Sequence, residues 1–246
     1  MAGEAILLQA AVFLAALLQA ASGIGFALVA GPAILIAMDG HGAVQVTMFL
    51  SFVICAALAP GLWPAADRSR LGGLALGSVL GLPLGLLIFQ AVGIATLKLL
   101  ALVAVMGMVA LLLRPPQGGG QPATRVADMG TGLLSGAMNA ALAMPGPSVA
   151  ARLTALGLGK TTVRATVLCL MTASYAAALV LQAASVGVVE GAGPMALISL
   201  PATIGGILAG RVLARHIAEG AFRRIVTVTL ALTALGLAVD LAARTI

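Results

Sequence analysis

Two glycine- and proline-rich breaks interrupt long apolar stretches of the chain, and they carry residue types suited to binding an anion. The first break reads Ser22-Gly23-Ile24-Gly25 and the second reads Met144-Pro145-Gly146-Pro147. A helix that starts after such a break has free N–H groups, and its first turn carries roughly half a positive charge. Glycine allows an anion to approach this backbone closely. Each break therefore predicts a helix start that can hold an oxyanion.

Polar side chains near the breaks extend this prediction, since hydroxyl and amide groups donate hydrogen bonds to an oxyanion. The predicted substrate-binding residues are Ser22, Gly23, Gly25, Asn139, Gly146, Pro147, Ser148 and Arg152. Weaker candidates, expected to line the path, are Gln19, Gln45, Thr47, Arg164 and Thr166. The alternative is that small residues at the breaks serve close helix packing. Packing is the favoured interpretation for Gly81-x3-Gly85 and Gly206-x3-Gly210.

Arg152 is the only cationic residue well inside an apolar segment, and two roles stay open for it. It follows Ser148 by four residues, so both side chains lie on one helix face. An arginine at membrane depth indicates a functional role with an anionic partner. Arg152 also lies close enough to its segment end to extend toward the cytoplasmic headgroups. For Arg164, the alternative to a role on the path is a positively charged anchor on the cytoplasmic side.

The composition excludes several classes of function. Of 246 residues, 61% are hydrophobic and 8% charged, whereas soluble domains have roughly 45–50% and about 25%. The net charge of +6 comes without the basic stripe of a nucleic-acid groove, so no nucleic-acid partner is expected. Cys55 and Cys169 lie in apolar segments and His41 is far from His216, so neither a metal site nor another cofactor is predicted. No nucleophile and base lie together at depth, so an enzyme is not expected. No acidic residue is placed to relay protons there, so proton coupling through a buried carboxylate is not expected.

Apolar runs predict an all-α, polytopic transmembrane helical bundle. The ten predicted segments are 5–21, 24–38, 43–62, 71–92, 95–113, 128–143, 147–157, 161–183, 195–213 and 222–243. Six of them approach the about 20 residues that a membrane-spanning helix needs. The pairs 5–21/24–38 and 128–143/147–157 are shorter, and they are expected to be broken or re-entrant hairpins whose tips line a site. No signal-peptide pattern precedes the first segment, which is expected to be retained.

Similar motifs in the same order indicate that the two halves are repeats. Gly31-Pro32 recurs as Gly146-Pro147, and Val44-Gln45-Val46-Thr47 recurs as Val163-Arg164-Ala165-Thr166. Residues 1–113 and 128–246 are the predicted repeats, each with five segments, joined by a cytoplasmic linker at 114–127. An odd number of segments inverts the second repeat, and this topology places ten basic residues inside. These residues are Arg68, Arg70, Arg114, Arg125, Lys160, Arg164, Arg211, Arg215, Arg223 and Arg224. Both termini are then periplasmic.

The chain resembles the TauE/SafE sulfite exporter family over both halves. The resemblance is carried by Gln19-Ala-Ala-Ser22-Gly23-Ile-Gly25-Phe-Ala-Leu-Val-Ala-Gly31-Pro32, by Leu134-Ser135-Gly136 with Pro145-Gly146-Pro147, and by Arg164-Ala165-Thr166. It implies an inner-membrane permease for a small sulfur-containing anion such as sulfite, thiosulfate or an organosulfonate such as sulfoacetate. The second motif departs from the family pattern, because Asn139-Ala-Ala-Leu-Ala-Met144-Pro145 replaces several glycines. A permease or channel for a different small solute is the alternative, and the sequence leaves open whether the protein is a monomer or a homodimer.

Overall fold

The computed structural model describes residues 2–113, 124–213 and 219–243, which form ten α-helices and one short 3-10 helix, without a strand among them. The helices are α1 (Ala2–Ser22), α2 (Phe26–Met38), α3 (Gly42–Leu62), α4 (Arg68–Ala91), α5 (Ile94–Leu113), α6 (Arg125–Leu142), α7 (Gly146–Ala155), α8 (Lys160–Val186), α9 (Ala192–Leu213) and α10 (Glu219–Ala243). The predicted all-helical fold is confirmed, and both predicted breaks separate consecutive helices.

Five helices in the described part are long and apolar enough to cross a membrane, namely α1, α3, α4, α8 and α9. The prediction that the first segment is short was wrong, because α1 has 21 residues. The apolar run begins after Glu4. Glu4 nevertheless lies in the first turn of α1, where the helix dipole favours an acidic side chain. α5 (Ile94–Leu113) and α10 (Glu219–Ala243) agree with the predicted segments 95–113 and 222–243 to within about three residues at each end.

The second break joins a long helix to a short one, as does the first. α6 begins at Arg125, three residues before the predicted segment, because Thr124 caps it by accepting a hydrogen bond from the Ala127 N–H at 3.3 Å. The last part of the predicted linker is therefore helical.

Residues 114–123 lie outside the described residues, as do Arg215, His216 and Arg244, and so do the side chains of Arg223 and Arg224.

Helices from the two predicted repeats pack against each other. α1 packs on α9, and α6 packs on α4. Because α6 is the counterpart of α1 and α9 is the counterpart of α4, swapping the two repeats converts one pair into the other. The pairs α3 with α8 and α5 with α10 each join corresponding helices. A two-fold relation between the repeats would produce this pattern. The inverted insertion, the cytoplasmic linker and the periplasmic termini stay predictions.

Glycines bring α4 and α6 into backbone contact. A Cβ added at Gly77 or Gly81 would lie 2.0 Å from a backbone oxygen of α6, and one added at Gly136 would lie 2.0 Å from the Ser78 oxygen of α4. Across the other repeat pair, a Cβ at Gly206 would lie 2.5 Å from the Phe13 oxygen of α1. These distances leave no room for a side chain, so the glycines serve close helix packing, as the sequence indicated.

A buried lysine joins three helix ends, in what we call the lysine cluster (Asp39, Lys98 and Asp240). Lys98, in α5, is fully buried and donates to Asp39 at 2.9 Å and to Asp240 of α10 at 2.5 Å. Asp39 is the C-cap of α2 and has a left-handed backbone with φ 45°. The cluster therefore holds the end of α2 that is remote from the first break.

Candidate functional site

The first break is a turn that its own side chains stabilise. Gly23 and Gly25 have φ values of 87° and 135°, which an L side chain rarely adopts. The Gln19 side chain accepts a hydrogen bond from the Phe26 N–H at 3.0 Å and donates to Cys55 at 3.3 Å. The Ser22 hydroxyl lies 2.5 Å from the Ile24 oxygen and accepts from the Ile24 N–H at 3.1 Å. Gln19 and Ser22 thus position the start of α2.

Two N–H groups of α2 stay available after this capping. The first helical hydrogen bond of α2 runs from the Val29 N–H to the Gly25 oxygen at 3.0 Å. Within the described part of the chain, the N–H groups of Ala27 and Leu28 form no hydrogen bond. Both residues are buried. Because a buried donor without a partner is costly, these two groups are suited to an anion.

The second break is also a turn that side chains stabilise before a helix start, but the residues differ. Ala143 ends α6 in a left-handed conformation with φ 58°, and the Tyr175 hydroxyl donates to its oxygen at 3.0 Å. The Ser135 hydroxyl donates to the Pro145 oxygen at 2.8 Å. α7 then begins at Gly146, and its next residue, Pro147, has no N–H. Among the described residues, no acceptor pairs with the N–H groups of Gly146 and Ser148.

The two breaks meet inside the protein. A Cβ added at Gly146 would lie 3.2 Å from a methyl carbon of Ile24 and 2.9 Å from the Met171 methyl group. A Cβ added at Gly31 of α2 would lie 3.4 Å from the Met144 methyl group. The fold therefore brings one helix start from each predicted repeat to the same place, with Ile24, Met144 and Met171 around it.

Asn139 lies behind the second break rather than in it. Its side-chain amide donates to the Ser174 hydroxyl at 2.7 Å, and the Ser78 hydroxyl lies 2.9 Å from that of Ser174. The Asn139 side-chain oxygen is buried and has no partner among the described residues. The hydroxyl of Ser148 lies 3.4 Å from the Pro145 oxygen, a weak contact that leaves it able to donate elsewhere.

Arg152 takes part in a buried ion-pair network that the sequence analysis did not foresee. We call it the arginine cluster (Asp67, Arg70, Asp128 and Arg152). Arg152, in the last turn of α7, donates to Asp128 of α6 at 3.1 Å, and Arg70 of α4 donates to the same carboxylate at 3.0 Å. Arg70 also lies 3.4 Å from Asp67. Arg152 and Asp128 are 7% and 4% exposed, so the carboxylate neutralises much of the Arg152 charge.

Arg164 lies at the first break. A Cβ added at Gly23 would lie 2.8 Å from the Arg164 Cγ, and the guanidinium donates through Nη2 to the Ala20 oxygen of α1. Its Nε is buried without a partner, and no carboxylate of the described residues pairs with Arg164. A half-buried cation beside the first break thus keeps donor capacity and an unneutralised charge.

The remaining predicted path residues occupy three different places. Gln45 donates to the Gly187 oxygen and accepts from the Val189 N–H, both at 2.9 Å, which fixes the loop after α8 beside an apolar cavity of about 350 Å³. Thr47 faces Gly31 and donates to the Ala43 oxygen at 2.8 Å. The Thr166 hydroxyl accepts from the N–H of Asp67 at 2.9 Å. Of the three, only Thr47 lies near the meeting breaks.

Sequence reasoning missed Tyr175 and Cys55, which support the breaks. Tyr175 is the only tyrosine of the chain and lies in an apolar segment. A buried tyrosine hydroxyl generally finds an acceptor, and this was the available signal. Cys55 gave no signal, because a single buried cysteine reads as a small apolar residue.

Comparison with known proteins assigns the chain to a family. No curated protein and no solved structure matches it. The family model described as Sulfite exporter TauE/SafE matches residues 8–237, which is nearly the whole chain and includes both breaks. The chain is therefore a multi-pass membrane protein that belongs to the TauE/SafE sulfite exporter family of membrane transporters.

Proposed function

We propose that this protein is an inner-membrane permease, and not an enzyme, that carries a small sulfur-containing oxyanion such as sulfite, thiosulfate or sulfoacetate. The anion binds where the two breaks meet. One observation carries this proposal: helix starts from both predicted repeats converge at Ile24 and Gly146, and their N–H groups have no acceptor among the described residues. The donors are the N–H groups of Ala27 and Leu28 in α2 and of Gly146 and Ser148 in α7.

Arg164 supplies the positive charge of the site. An oxyanion that leaves water needs donors on several oxygens and a compensating charge. Two helix starts each provide roughly half a positive charge. Arg164 adds a full charge from the first break, where its Nε has no partner in the described part of the chain. Arg152, which the sequence analysis placed among the binding residues, contributes through the arginine cluster instead.

The apolar side chains at the meeting point set the size of the substrate. Met144 and Met171 are buried, and their methyl groups lie beside Gly31 of α2 and Gly146 of α7. Methionine is unbranched and flexible, so these side chains can move aside for a small anion. A larger organosulfonate would require a larger displacement than sulfite does. We therefore expect affinity to fall as the organic group grows.

A ligand screen tests the proposed function. The purified protein is heated with sulfite, thiosulfate, sulfoacetate, taurine or sulfate, and with chloride as the reference anion. A ligand at about one hundred times its dissociation constant stabilises the folded state by about 2.7 kcal/mol, so a binding oxyanion raises the melting temperature clearly above chloride. Uptake of the stabilising anion into liposomes that contain the protein then measures transport. Equal melting temperatures with all these anions would refute the proposal in favour of a different small solute.

A further inference from the structure

We propose that the lysine cluster and the arginine cluster are the closing contacts of two opposite gates on the path to the proposed anion site. The inference rests on the proposed function for the identity of that site, but its test needs no knowledge of the anion. Each cluster holds one of the two short helices, α2 and α7, at the end remote from the breaks.

The lysine cluster closes the gate at the far end of α2. Asp39 caps this helix, and Lys98 and Asp240 attach it to α5 and α10. Lys98 is fully buried, whereas the Asp39 side chain is 44% exposed. The cluster therefore lies at the boundary between the protein interior and its surroundings. Water that enters as the end of α2 withdraws can solvate all three charges.

The arginine cluster closes the gate at the far end of α7. Arg152 occupies the last turn of this helix, and Asp128 and Arg70 attach it to the first turns of α6 and α4. The Arg70 side chain is 17% exposed, while those of Arg152 and Asp128 are 6% exposed. This cluster, like the first, runs from the interior to a partly exposed charge.

Each short helix connects its cluster to the anion site. α2 has 13 residues and α7 has 10, which correspond to lengths of about 20 Å and about 15 Å. Each helix is short enough to link its two ends directly, and we infer that a shift at the break is transmitted to the cluster, with Pro32 as the one interior proline of α2. Anion binding to the first N–H groups of α2 or α7 therefore acts on the cluster at the other end.

The two gates face opposite sides of the membrane under the predicted topology. The α2 end lies at the predicted periplasmic loop 39–42, and the α7 end precedes the predicted cytoplasmic loop 158–164. Both clusters are intact in the structure, and Gly23, Gly25, Met144 and Gly146 are buried. The structure thus has both clusters closed, as an intermediate of alternating access requires, around breaks whose other residues, Ser22, Ile24, Pro147 and Ser148, are half-buried.

Cys55 provides a reporter that the protein already contains. Its thiol is fully buried and accepts a hydrogen bond from Gln19, the side chain that caps α2. Replacing the other cysteine, in Cys169→Ala, leaves Cys55 as the only thiol. The rate at which a membrane-impermeant thiosulfonate modifies Cys55 then reports access to the site. Right-side-out spheroplasts measure access from the periplasm, and inverted vesicles measure access from the cytoplasm.

Two charge-neutral variants open one gate each. Lys98→Met with Asp240→Asn weakens the lysine cluster, and Asp128→Asn with Arg152→Met weakens the arginine cluster. We expect the first variant to be modified at least tenfold faster from the periplasm only, and the second at least tenfold faster from the cytoplasm only. Modification rates equal to those of the parent, increases from both sides, or increases of both variants from the same side would overturn the proposal.

Control variants separate gating from loss of structure. Lys98→Arg keeps the charge and is expected to restore slow modification, whereas a loosened fold would speed modification from both sides. Arg68→Gln removes a cation that is exposed and stacks on Trp63 at 5.3 Å outside both clusters, and its rates should match the parent. If a double variant does not fold, Asp39→Asn tests the lysine cluster alone, with faster periplasmic modification expected and an unchanged rate counting against it. A failed anion screen would leave this result intact.

Discussion

The interface of α4 with α6 and the meeting point of the two breaks are both rich in glycine, yet they need glycine for different reasons. At the interface, the atoms nearest to an added Cβ are backbone atoms of the other helix, 2.0 Å from Gly81. At the breaks, the nearest atoms belong to side chains, such as Met171 beside Gly146. A backbone in a packed helix pair cannot give way, whereas a methionine can. Glycine is thus needed for backbone contact in one region and, under the proposed function, for ligand access in the other.

The two regions also differ in whether their arginines pair with a carboxylate. Arg152 and Arg70 stand at the end of the α4 and α6 interface and share one carboxylate, that of Asp128. Arg164 stands at the first break and pairs with no carboxylate of the described residues. Removing a cation that is neutralised internally costs stability, whereas a cation without a carboxylate partner among the described residues is available to a ligand. The comparison predicts which substitutions change stability and which change binding.

The largest effect is expected for Gly81→Ala. Its Cβ would overlap the Leu133 oxygen at 2.0 Å, so the two helices must separate, at a cost of about 3 kcal/mol or more. Thermal unfolding and gel filtration of the purified variant measure this loss. Gly72→Ala, in the same helix but with nothing within 4 Å of its Cβ, is the matched control and should unfold like the parent. Similar melting temperatures for the two variants would contradict a packing role for Gly81.

The second effect contrasts the two arginines. Arg152→Gln leaves Asp128 with Arg70 alone, and we expect a loss of on the order of 2 kcal/mol of stability, below the range for a fully unpaired buried charge. Arg164→Gln should unfold within about 0.5 kcal/mol of the parent and bind the anion at least tenfold more weakly, which is about 1.4 kcal/mol. Thermal unfolding and anion titration of both variants measure this difference. The reverse pattern would return Arg152 to the site and make Arg164 a structural cap of α1.

The third effect concerns the glycines at the breaks. Gly146→Val places a branched side chain where Ile24 and Met171 meet, and Gly25→Val imposes a side chain on a φ of 135°. We expect both variants to lose anion binding by more than tenfold, because the helix starts can no longer approach the anion. Anion titration checks this loss, and the melting temperature without anion shows whether the fold survives. Full affinity in Gly146→Val would show that this break only packs.

The smallest effect is expected for Ser148→Ala. Its hydroxyl makes only a 3.4 Å contact with Pro145, and the loss of one neutral hydrogen bond costs about 0.5–1.5 kcal/mol. Anion affinity should therefore fall less than about tenfold. A larger loss, measured in the same titration, would move the main recognition of the anion from backbone to side chains.

The sequence predicted the helices and breaks well because both follow from local patterns. Apolar length and the Gly and Pro residues at 22–25 and 144–147 placed the breaks within about two residues of their observed positions. Helix starts were placed too late where charged residues such as Glu4 and Arg125 belong to a first turn. The partners of Arg152 and Lys98 could not be predicted, because Asp128 and Asp240 lie 24 and 142 residues away along the chain. Only the fold brings these charges together.

The pairing of α1 with α9 and of α4 with α6 has a consequence for how the protein is made. α1 leaves the ribosome early, but its packing partner α9 follows about 190 residues later, the separation of the hydrogen-bonded Gln9 and Ser199. At about 5–20 residues per second, α1 waits roughly ten to forty seconds for that contact. During this interval Gln9 lacks the Ser199 hydroxyl to which its side chain donates in the folded protein. Truncation before α9 therefore leaves α1 without its packing partner and leaves Gln9 without its hydrogen-bond partner at membrane depth, which is costly.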